Sequence, residues 1–203
     1  MTHNIKIPLA CLATVLVVFA WSAIGPYDRA TWWLEVMPVL IAVPLLLATH
    51  KKFPLTTLLY ILVAVHSIIL IVGGHYTYAR VPYMEFLGEG RNNYDKIGHF
   101  AQGFIPAIAV RELLLRTSPL QTGKWLAALI FFSCMGVSAI YELIEWATAE
   151  IAGDGSVEFL GTQGDVWDAQ KDMMWCGIGA ITALLTLSKL HNRQLEKVSP
   201  ARR

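Results

Sequence analysis

An acidic segment with two glutamines comes directly before the last apolar run of this chain. Residues 161–173 have the sequence GTQGDVWDAQKDM, in which Asp165, Asp168 and Asp172 recur every three or four positions. This spacing predicts one face of a helix, because residues three and four apart stack above each other. An ionised acid at the centre of a spanning helix costs roughly 2.5–3.5 kcal/mol in lipid. We therefore expect these acids to meet partners, water or a ligand.

Two further polar groups are expected at the same depth as this segment. His99 follows Asp95 by one helical turn near the start of the fourth apolar run, and Glu142 and Glu145 share a face near the end of the fifth. Consecutive spanning helices alternate in direction, so all three helices bring acids to one side of the membrane. The sequence predicts a cavity in the outer leaflet, lined by carboxylates and one or two histidines.

Carboxylates and imidazoles are ligands for hard or borderline divalent cations such as Mn²⁺, Mg²⁺ or Zn²⁺. The candidate metal ligands are His99, Glu142, Glu145, Asp165 and Asp168. The candidate catalytic residues are His99, Glu142 and Asp168, with Glu142 or Asp168 as general base if no metal is bound. The remaining members of the predicted polar cluster are His75, Arg91, Asp95, Gln163 and Asp172.

Each group also has a structural interpretation. His99 could simply be hydrogen bonded, and the two glutamates could form interfacial salt bridges with Lys96, Arg91 or Lys171. Lys171 could also neutralise Asp168, which lies three residues before it. These alternatives remain open at the level of sequence.

The composition requires a membrane protein. The 203 residues are 55% hydrophobic and 15% charged, with a mean hydropathy of +0.50. Apolar runs near the roughly 20-residue spanning length cover residues 7–24, 32–49, 55–73, 97–115, 125–151 and 174–190. We predict an all-α polytopic bundle of six transmembrane helices that forms a single domain over residues 1–203.

The distribution of basic residues predicts that both termini are cytoplasmic, by the positive-inside rule. With that orientation eleven basic residues lie inside: Lys6, Lys51, Lys52, Arg111, Arg116, Lys124, Lys189, Arg193, Lys197, Arg202 and Arg203. Only five lie outside: Arg29, Arg80, Arg91, Lys96 and Lys171. The three cysteines fall within predicted spans, which excludes a disulfide framework or a cysteine zinc site.

Other residues are assigned structural positions. Trp32, Trp33, Trp146 and Trp167 are expected in the outer aromatic belt, with Glu35 close to it. Small residues predict close helix contacts at Gly103, Ala107, Gly136, Gly179 and Ala183. On the inner side only Arg111 and Glu112 are polar enough to need a partner, and we expect them to pair or to extend to the interface.

Four segments closely resemble the YjdF-type family of bacterial inner-membrane proteins. They are GGHYTYARVPY at 73–83, RNNYDKIGHFAQGFIPA at 91–107, YELIEW at 141–146 and FLGTQGDVWDAQKDM at 159–173. The resemblance implies a multi-pass protein of the inner, or cytoplasmic, membrane and does not prescribe an activity. The order of DKxxHF at 95–100, a later acid and an Asp-rich entry to the last helix is also similar in outline to VanZ-like proteins, whose link to glycopeptide tolerance is not carried over.

Three functions fit these observations. The first is a metal-dependent enzyme, or a headgroup-handling protein, that acts on a lipid-linked substrate. The second is a non-catalytic accessory protein that binds lipid or a periplasmic partner. The third is a cation- or proton-coupled transporter, although neither broken helices nor an internal repeat is evident. The expected partners are membrane lipid and a lipid-linked substrate, and no nucleic acid.

Overall fold

A computed structural model describes residues 5–85, 90–152 and 162–198. Within these residues there are six α-helices and no strand. The helices are α1 (Lys6–Ser22), α2 (Arg29–Thr49), α3 (Thr57–Tyr76), α4 (Tyr94–Thr117), α5 (Lys124–Ala152) and α6 (Asp168–Val198). The predicted all-α class is confirmed. Arg202 and Arg203 of the basic tail, and residues 159–161 of the last resembling segment, lie outside the described residues.

Four of these helices are long and apolar enough to cross a membrane: α2, α3, α5 and α6. The apolar helix α1 is shorter, with 17 residues. Helix α4 has 24 residues but carries charges near both ends, at Asp95 and Lys96 and again at Arg111, Glu112 and Arg116. Six spans with cytoplasmic termini therefore stay a prediction.

The closest packing in the bundle joins α4 to α6, and it depends on two glycines. A Cβ on Gly103 would overlap the backbone carbonyl of Cys176, and a Cβ on Gly179 would overlap the carbonyl of Phe100. Only glycine permits this backbone approach. The prediction was wrong for Gly136, around which an added Cβ would meet nothing within 4 Å.

The remaining helices pack in sequence around this pair. Helix α3 contacts α1, α2 and α4, while α5 packs on α4 and α6. Helices α2 and α5 show no comparable packing within the described residues. The backbones of α2 and α5 are therefore further apart than those of the packed pairs.

Two side chains assigned to the membrane interface are instead buried. Trp32 is 2% exposed and its Nε1 donates to Ser22 Oγ at 3.1 Å. Glu35 is 3% exposed. Trp33 is exposed, as an interfacial residue should be. Sequence alone could not separate these neighbours, because α2 is apolar on nearly all faces and gives no clear indication of its buried side.

Candidate functional site

Asp95, His99 and Asp172 converge where α4 and α6 begin. Each offers one ligand atom, and these three atoms lie within 4.8 Å of one another. Nε2 of His99 lies 3.3 Å from Asp95 Oδ1 and 3.9 Å from Asp172 Oδ2. All three residues are buried. The close contact of α4 and α6 brings the two carboxylates to the same nitrogen of the imidazole.

Gln102 fixes the orientation of the His99 ring. Its Oε1 lies 3.1 Å from Nδ1 of the imidazole, one helical turn further along α4. Since a carbonyl oxygen can only accept, Nδ1 carries a proton in this arrangement and points away from the two aspartates. The other nitrogen, Nε2, faces both carboxylates. Metal-ligating histidines are commonly held in this way, with one nitrogen on an oxygen acceptor and the other on the ion.

Two carboxylate oxygens at this site have no hydrogen-bond donor among the described residues. They are Oδ1 of Asp172 and Oε1 of Glu142, and both atoms are buried. Glu142 Oε1 lies 3.8 Å from His99 Nδ1, which brings α5 to the same imidazole. A buried oxygen without a donor is unfavourable unless water or a cation satisfies it.

Arg91 holds the outer edge of the site. Its Nη2 contacts Asp168 and lies 3.4 Å from Asp95 Oδ2, while Nη1 lies 3.2 Å from Asp165 Oδ2. Nη1 also donates to the carbonyl of Thr162 at 3.1 Å. One guanidinium thus connects the entry of α4 to the entry of α6.

The backbone around Arg91 is fixed by amide side chains. Asn92 Nδ2 donates to the carbonyl of Val81 at 2.7 Å, and Asn92 Oδ1 accepts from the backbone N–H of Tyr94 at 3.0 Å. Gln163 pairs with both backbone groups of Asn92, at 2.9 and 3.1 Å. These contacts fix the backbone from which the guanidinium extends.

Two of the charged groups at this edge, Arg91 and Asp165, are kept ionised by their partners. Burial alone would lower the pKa of Arg91, but the hydrogen bond and charge of Asp168 outweigh it and the pKa is raised. The pKa of Asp165 is lowered, first by the hydrogen bond from Lys171 Nζ at 2.5 Å and then by the N–H of Trp167. Both groups therefore stay charged at neutral pH, and the edge is an ion-pair network.

A cavity of about 160 Å³ extends inward from the Asp95, His99 and Asp172 triad. Among the described residues, its lining includes four carboxylates and two histidines but no lysine or arginine. These acids and histidines are Glu35, Asp95, Glu145, Asp172, His66 and His99. Apolar lining comes from side chains such as Leu70, Pro106 and Val137. The cavity therefore favours cations over anions.

Glu35 enters this cavity because α2 and α3 approach closely. A Cβ on Gly74 would lie 2.9 Å from Cβ of Glu35, so the absence of a side chain on α3 makes room for the glutamate. Tyr141 from α5 donates to Glu35 Oε2 at 3.1 Å. Sequence reasoning did not assign Glu35 to the site, and the adjacent glycines of α3 were the only available indication.

The structure brings most of the predicted site residues together. His99, Asp95, Asp172 and Glu142 meet directly, and Glu145 lines the same cavity. Asp165 and Asp168 are instead paired with Arg91. Of the five predicted metal ligands, only His99 therefore belongs to the triad whose ligand atoms lie within 4.8 Å of one another.

Three predicted placements differ from the structure. Helix α6 begins at Asp168, so Asp165 lies in the preceding turn and not on the helix face. His75 Nδ1 lies 2.9 Å from the carbonyl of Ser22, and its ring packs on Trp21, away from the cavity. Gln163 orders the backbone of Asn92 and does not enter the cavity.

A second buried polar cluster lies at the other end of α4 and was not predicted in full. Glu112 is fully buried and accepts from Thr56, Arg116 and His191. His191 from α6 is also fully buried, and its Nδ1 lies 2.8 Å from Arg111 Nη1. The histidine was missed because it follows the apolar run of α6, where a solvated position was equally compatible with the sequence.

Comparisons with known proteins agree with this architecture. A family model described as "Predicted membrane protein (DUF2238)" matches residues 7–193. Over 204 aligned residues, the chain is 47% identical to the inner membrane protein YjdF of Escherichia coli K12, covering 97% of each chain. No solved structure matches. The resemblance to the YjdF-type family and the inner-membrane location are confirmed.

Proposed function

This chain belongs to the DUF2238 family of predicted membrane proteins, and on that premise we propose that it binds a divalent cation and presents it to a lipid-linked substrate at the periplasmic leaflet. The protein is a multi-pass inner-membrane protein. Asp95, His99 and Asp172 would hold the cation, and Glu142 beside His99 would serve as general base. The reaction class is metal-assisted chemistry on a phosphate or carbonyl group.

The observation that carries the proposal is the convergence of ligand atoms from Asp95, His99 and Asp172, together with a buried oxygen of Asp172 that has no donor among the described residues. Two carboxylates and one imidazole within 4.8 Å form a ligand set of the type that Mn²⁺, Mg²⁺ or Zn²⁺ accepts. Crowded carboxylates repel one another when no cation is present. Among the described residues, no lysine or arginine lines the cavity. Arg91 contacts Oδ2 of Asp95, whereas Oδ1 is the oxygen that lies near His99.

A bound cation would polarise the phosphate or carbonyl oxygen of the substrate, or lower the pKa of a bound water. The chain's own residues supply the orientation. Gln102 holds the imidazole, and Arg91 holds the second oxygen of Asp95 at 3.4 Å. Glu142 has a buried oxygen that finds no donor in the described part of the chain, as a proton acceptor would require.

The proposed orientation has six spans and cytoplasmic termini, which puts the starts of α4 and α6 at the periplasmic face. The eleven-to-five distribution of basic residues supports it. A reporter active only in the cytoplasm, fused after residue 203, should be active. If only a periplasmic reporter is active there, the site belongs to the cytoplasmic leaflet.

The metal is tested on the full chain purified in detergent, by elemental analysis after equilibration with Mn²⁺ and gel filtration. Wild-type protein should retain stoichiometric metal, and Asp172→Asn should lose it, because the substitution removes an anionic ligand at nearly constant volume. Glu150→Gln is the matched control, since Glu150 is an exposed acid on α5. Equal metal in all three proteins, or none in any, would contradict the proposal and favour a metal-free accessory binder.

A further inference from the structure

The cavity is lined by two further acids that the proposed metal ligands do not include. Glu35 from α2 and Glu145 from α5 both line it, and neither belongs to the triad. Tyr141 lies beside both His99 and Glu35, since its ring centroid is 6.4 Å from that of His99 and its hydroxyl donates to Glu35 at 3.1 Å. The cavity therefore holds two carboxylates besides those of the triad.

The same cavity opens sideways between α2 and α5. Val137 lines the cavity and is nevertheless 47% exposed, so the opening reaches the surface of the bundle on the α5 side. Residues three positions from cavity-lining residues on the same helices are exposed and apolar: Ile41 after Pro38, Ile140 after Val137 and Ile144 after Tyr141. In a membrane these side chains meet acyl chains.

The volume limits what can occupy the cavity. About 160 Å³ holds roughly five waters at about 30 Å³ each, which suits a small headgroup and excludes an oligosaccharide. A ligand that fills the cavity would contact the triad as well as Glu35 and Glu145, and Oδ1 of Asp172 has no donor among the described residues. The ligand should therefore carry a group for the cation at one end and a cationic donor for Glu35 and Glu145 at the other.

We infer that the substrate is a phospholipid with a phosphoethanolamine headgroup. Its phosphate would bind the cation held by Asp95, His99 and Asp172, and its ammonium would bind Glu35 and Glu145. The acyl chains leave the site between α2 and α5. This assignment rests on the proposed function, because without the cation the acidic cavity would repel the phosphate.

Charge complementarity separates this lipid from other membrane lipids. Phosphatidylglycerol offers the same phosphate but no ammonium, so it would leave Glu35 and Glu145 without a cationic partner. A charge-assisted hydrogen bond contributes roughly 1.5–3 kcal/mol, or about ten- to a hundredfold in affinity. That factor is the expected preference for the ethanolamine lipid.

The test is isothermal titration of the Mn²⁺-loaded full chain with dihexanoyl phosphatidylethanolamine, dihexanoyl phosphatidylglycerol and free phosphoethanolamine. The ethanolamine lipid should bind roughly ten- to a hundredfold more tightly than the glycerol lipid. Glu35→Gln and Glu145→Gln should each reduce this preference without changing binding of the glycerol lipid or metal content. Glu150→Gln, an exposed acid on α5, should change neither affinity.

Each contrary outcome would overturn a different part of the inference. Equal affinity for the two lipids, or an equal loss for both in the glutamine variants, overturns the ammonium site. Free phosphoethanolamine that binds as tightly as the lipid overturns lipid as the source. Wild-type protein that retains no Mn²⁺ overturns the proposed function together with this inference, whereas retained Mn²⁺ without a lipid preference overturns the inference alone.

Discussion

Asp95 and His99 stand one turn apart on α4, with Oδ1 of the carboxylate 3.3 Å from Nε2 of the imidazole. The other oxygen of Asp95 lies 3.4 Å from Nη2 of Arg91. One carboxylate therefore belongs both to the triad and to the ion-pair network at the edge. The two aspartates of α6 divide in the same way, because Asp172 faces His99 and Asp168 contacts Arg91. Substitutions on α6 can consequently separate the two functions.

We expect Asp168→Asn to lower stability and to keep the metal. The change removes the charge of the carboxylate that contacts Arg91, and a hydrogen bond to a charged group contributes about 2 kcal/mol. The proposed ligands are untouched. Thermal unfolding in detergent and metal analysis measure the two quantities on the same sample.

Asp172→Asn should lose the metal that Asp168→Asn keeps. Thermal unfolding at several Mn²⁺ concentrations tests this difference. A bound ligand stabilises the folded state by mass action, so added Mn²⁺ should raise the Tm of wild-type and Asp168→Asn protein but not of Asp172→Asn. Chelation with EDTA should reverse the increase. If Asp168→Asn loses metal as completely as Asp172→Asn, the division between triad and edge is wrong.

The turn before α6 should loosen in acid. The pKa of Asp165 is lowered by its hydrogen bonds with Lys171 and Trp167. A depressed pKa contributes stability above the ordinary pKa of the group, and the contribution is lost as the pH falls through the folded-state value. The backbone amide of Trp167 donates to Asp165 Oδ1 at 3.0 Å. Its protection against hydrogen exchange should therefore decrease when the pH drops below about 4.

Hydrogen exchange corrected for the intrinsic rate at each pH checks this expectation. Asp165→Asn should show the weaker protection already at pH 7 and should change little on acidification. Protection in wild-type protein that is the same at neutral pH and well below pH 4 would contradict the role given to the carboxylate.

The sequence was sufficient to predict a membrane protein and to predict which end of the bundle carries the polar residues. Hydropathy and helical spacing carry that information, and they brought His99, Asp95, Asp172 and Glu142 to one place. Spacing could not decide which aspartate meets Arg91, because Asp168 and Asp172 share a face and the partner comes from a distant loop. Glu35 was misplaced because its burial depends on a glycine of α3.

The other end of α4 shows a different limit of sequence reasoning. Glu112 was recognised as needing a partner, but His191 lies 79 residues away and enters only through the packing of α4 against α6. Glu112 accepts from several donors and is fully buried. Glu112→Gln would therefore disturb this cluster and is not a suitable control for the metal experiments. Glu150→Gln, at an exposed acid, serves as the control instead.

His191 should be a neutral imidazole with its proton on Nε2. A guanidinium can only donate, so Nδ1 of His191 accepts from Arg111 at 2.8 Å. Nε2 then carries the hydrogen that Glu112 Oε2 accepts at 3.0 Å. Nitrogen-15 shifts of the selectively labelled ring should show this tautomer at neutral pH, and a doubly protonated ring would contradict it.

Removal of His191 should be costly. His191→Ala leaves Arg111 and Glu112 each without one buried partner, and a lost hydrogen bond to a charged group costs about 1.5–3 kcal/mol. Arg193→Ala, an exposed basic residue two positions along α6, should change stability little. Equal Tm values for the two variants would show that the cluster contributes nothing to stability.

The α4–α6 contact should be the least tolerant of added volume. Gly103→Ala forces a Cβ against the carbonyl of Cys176, and Gly179→Ala forces one against the carbonyl of Phe100. Backbone atoms cannot rotate away, so each change should destabilise the protein by about 3 kcal/mol. Gly136→Ala is the matched control, because its Cβ meets nothing within 4 Å and alanine favours a helix by up to about 1 kcal/mol.

The same substitutions test whether helix spacing sets the site. Asp95 and His99 lie on α4 and Asp172 on α6, so separating the two backbones moves one carboxylate away from the other two ligands. Folded Gly103→Ala or Gly179→Ala protein should therefore bind Mn²⁺ more weakly, while Gly136→Ala should bind it as wild type does. Full metal content in a folded Gly103→Ala variant would mean that the close approach of the helices serves stability alone, since the ligands would then tolerate the displacement.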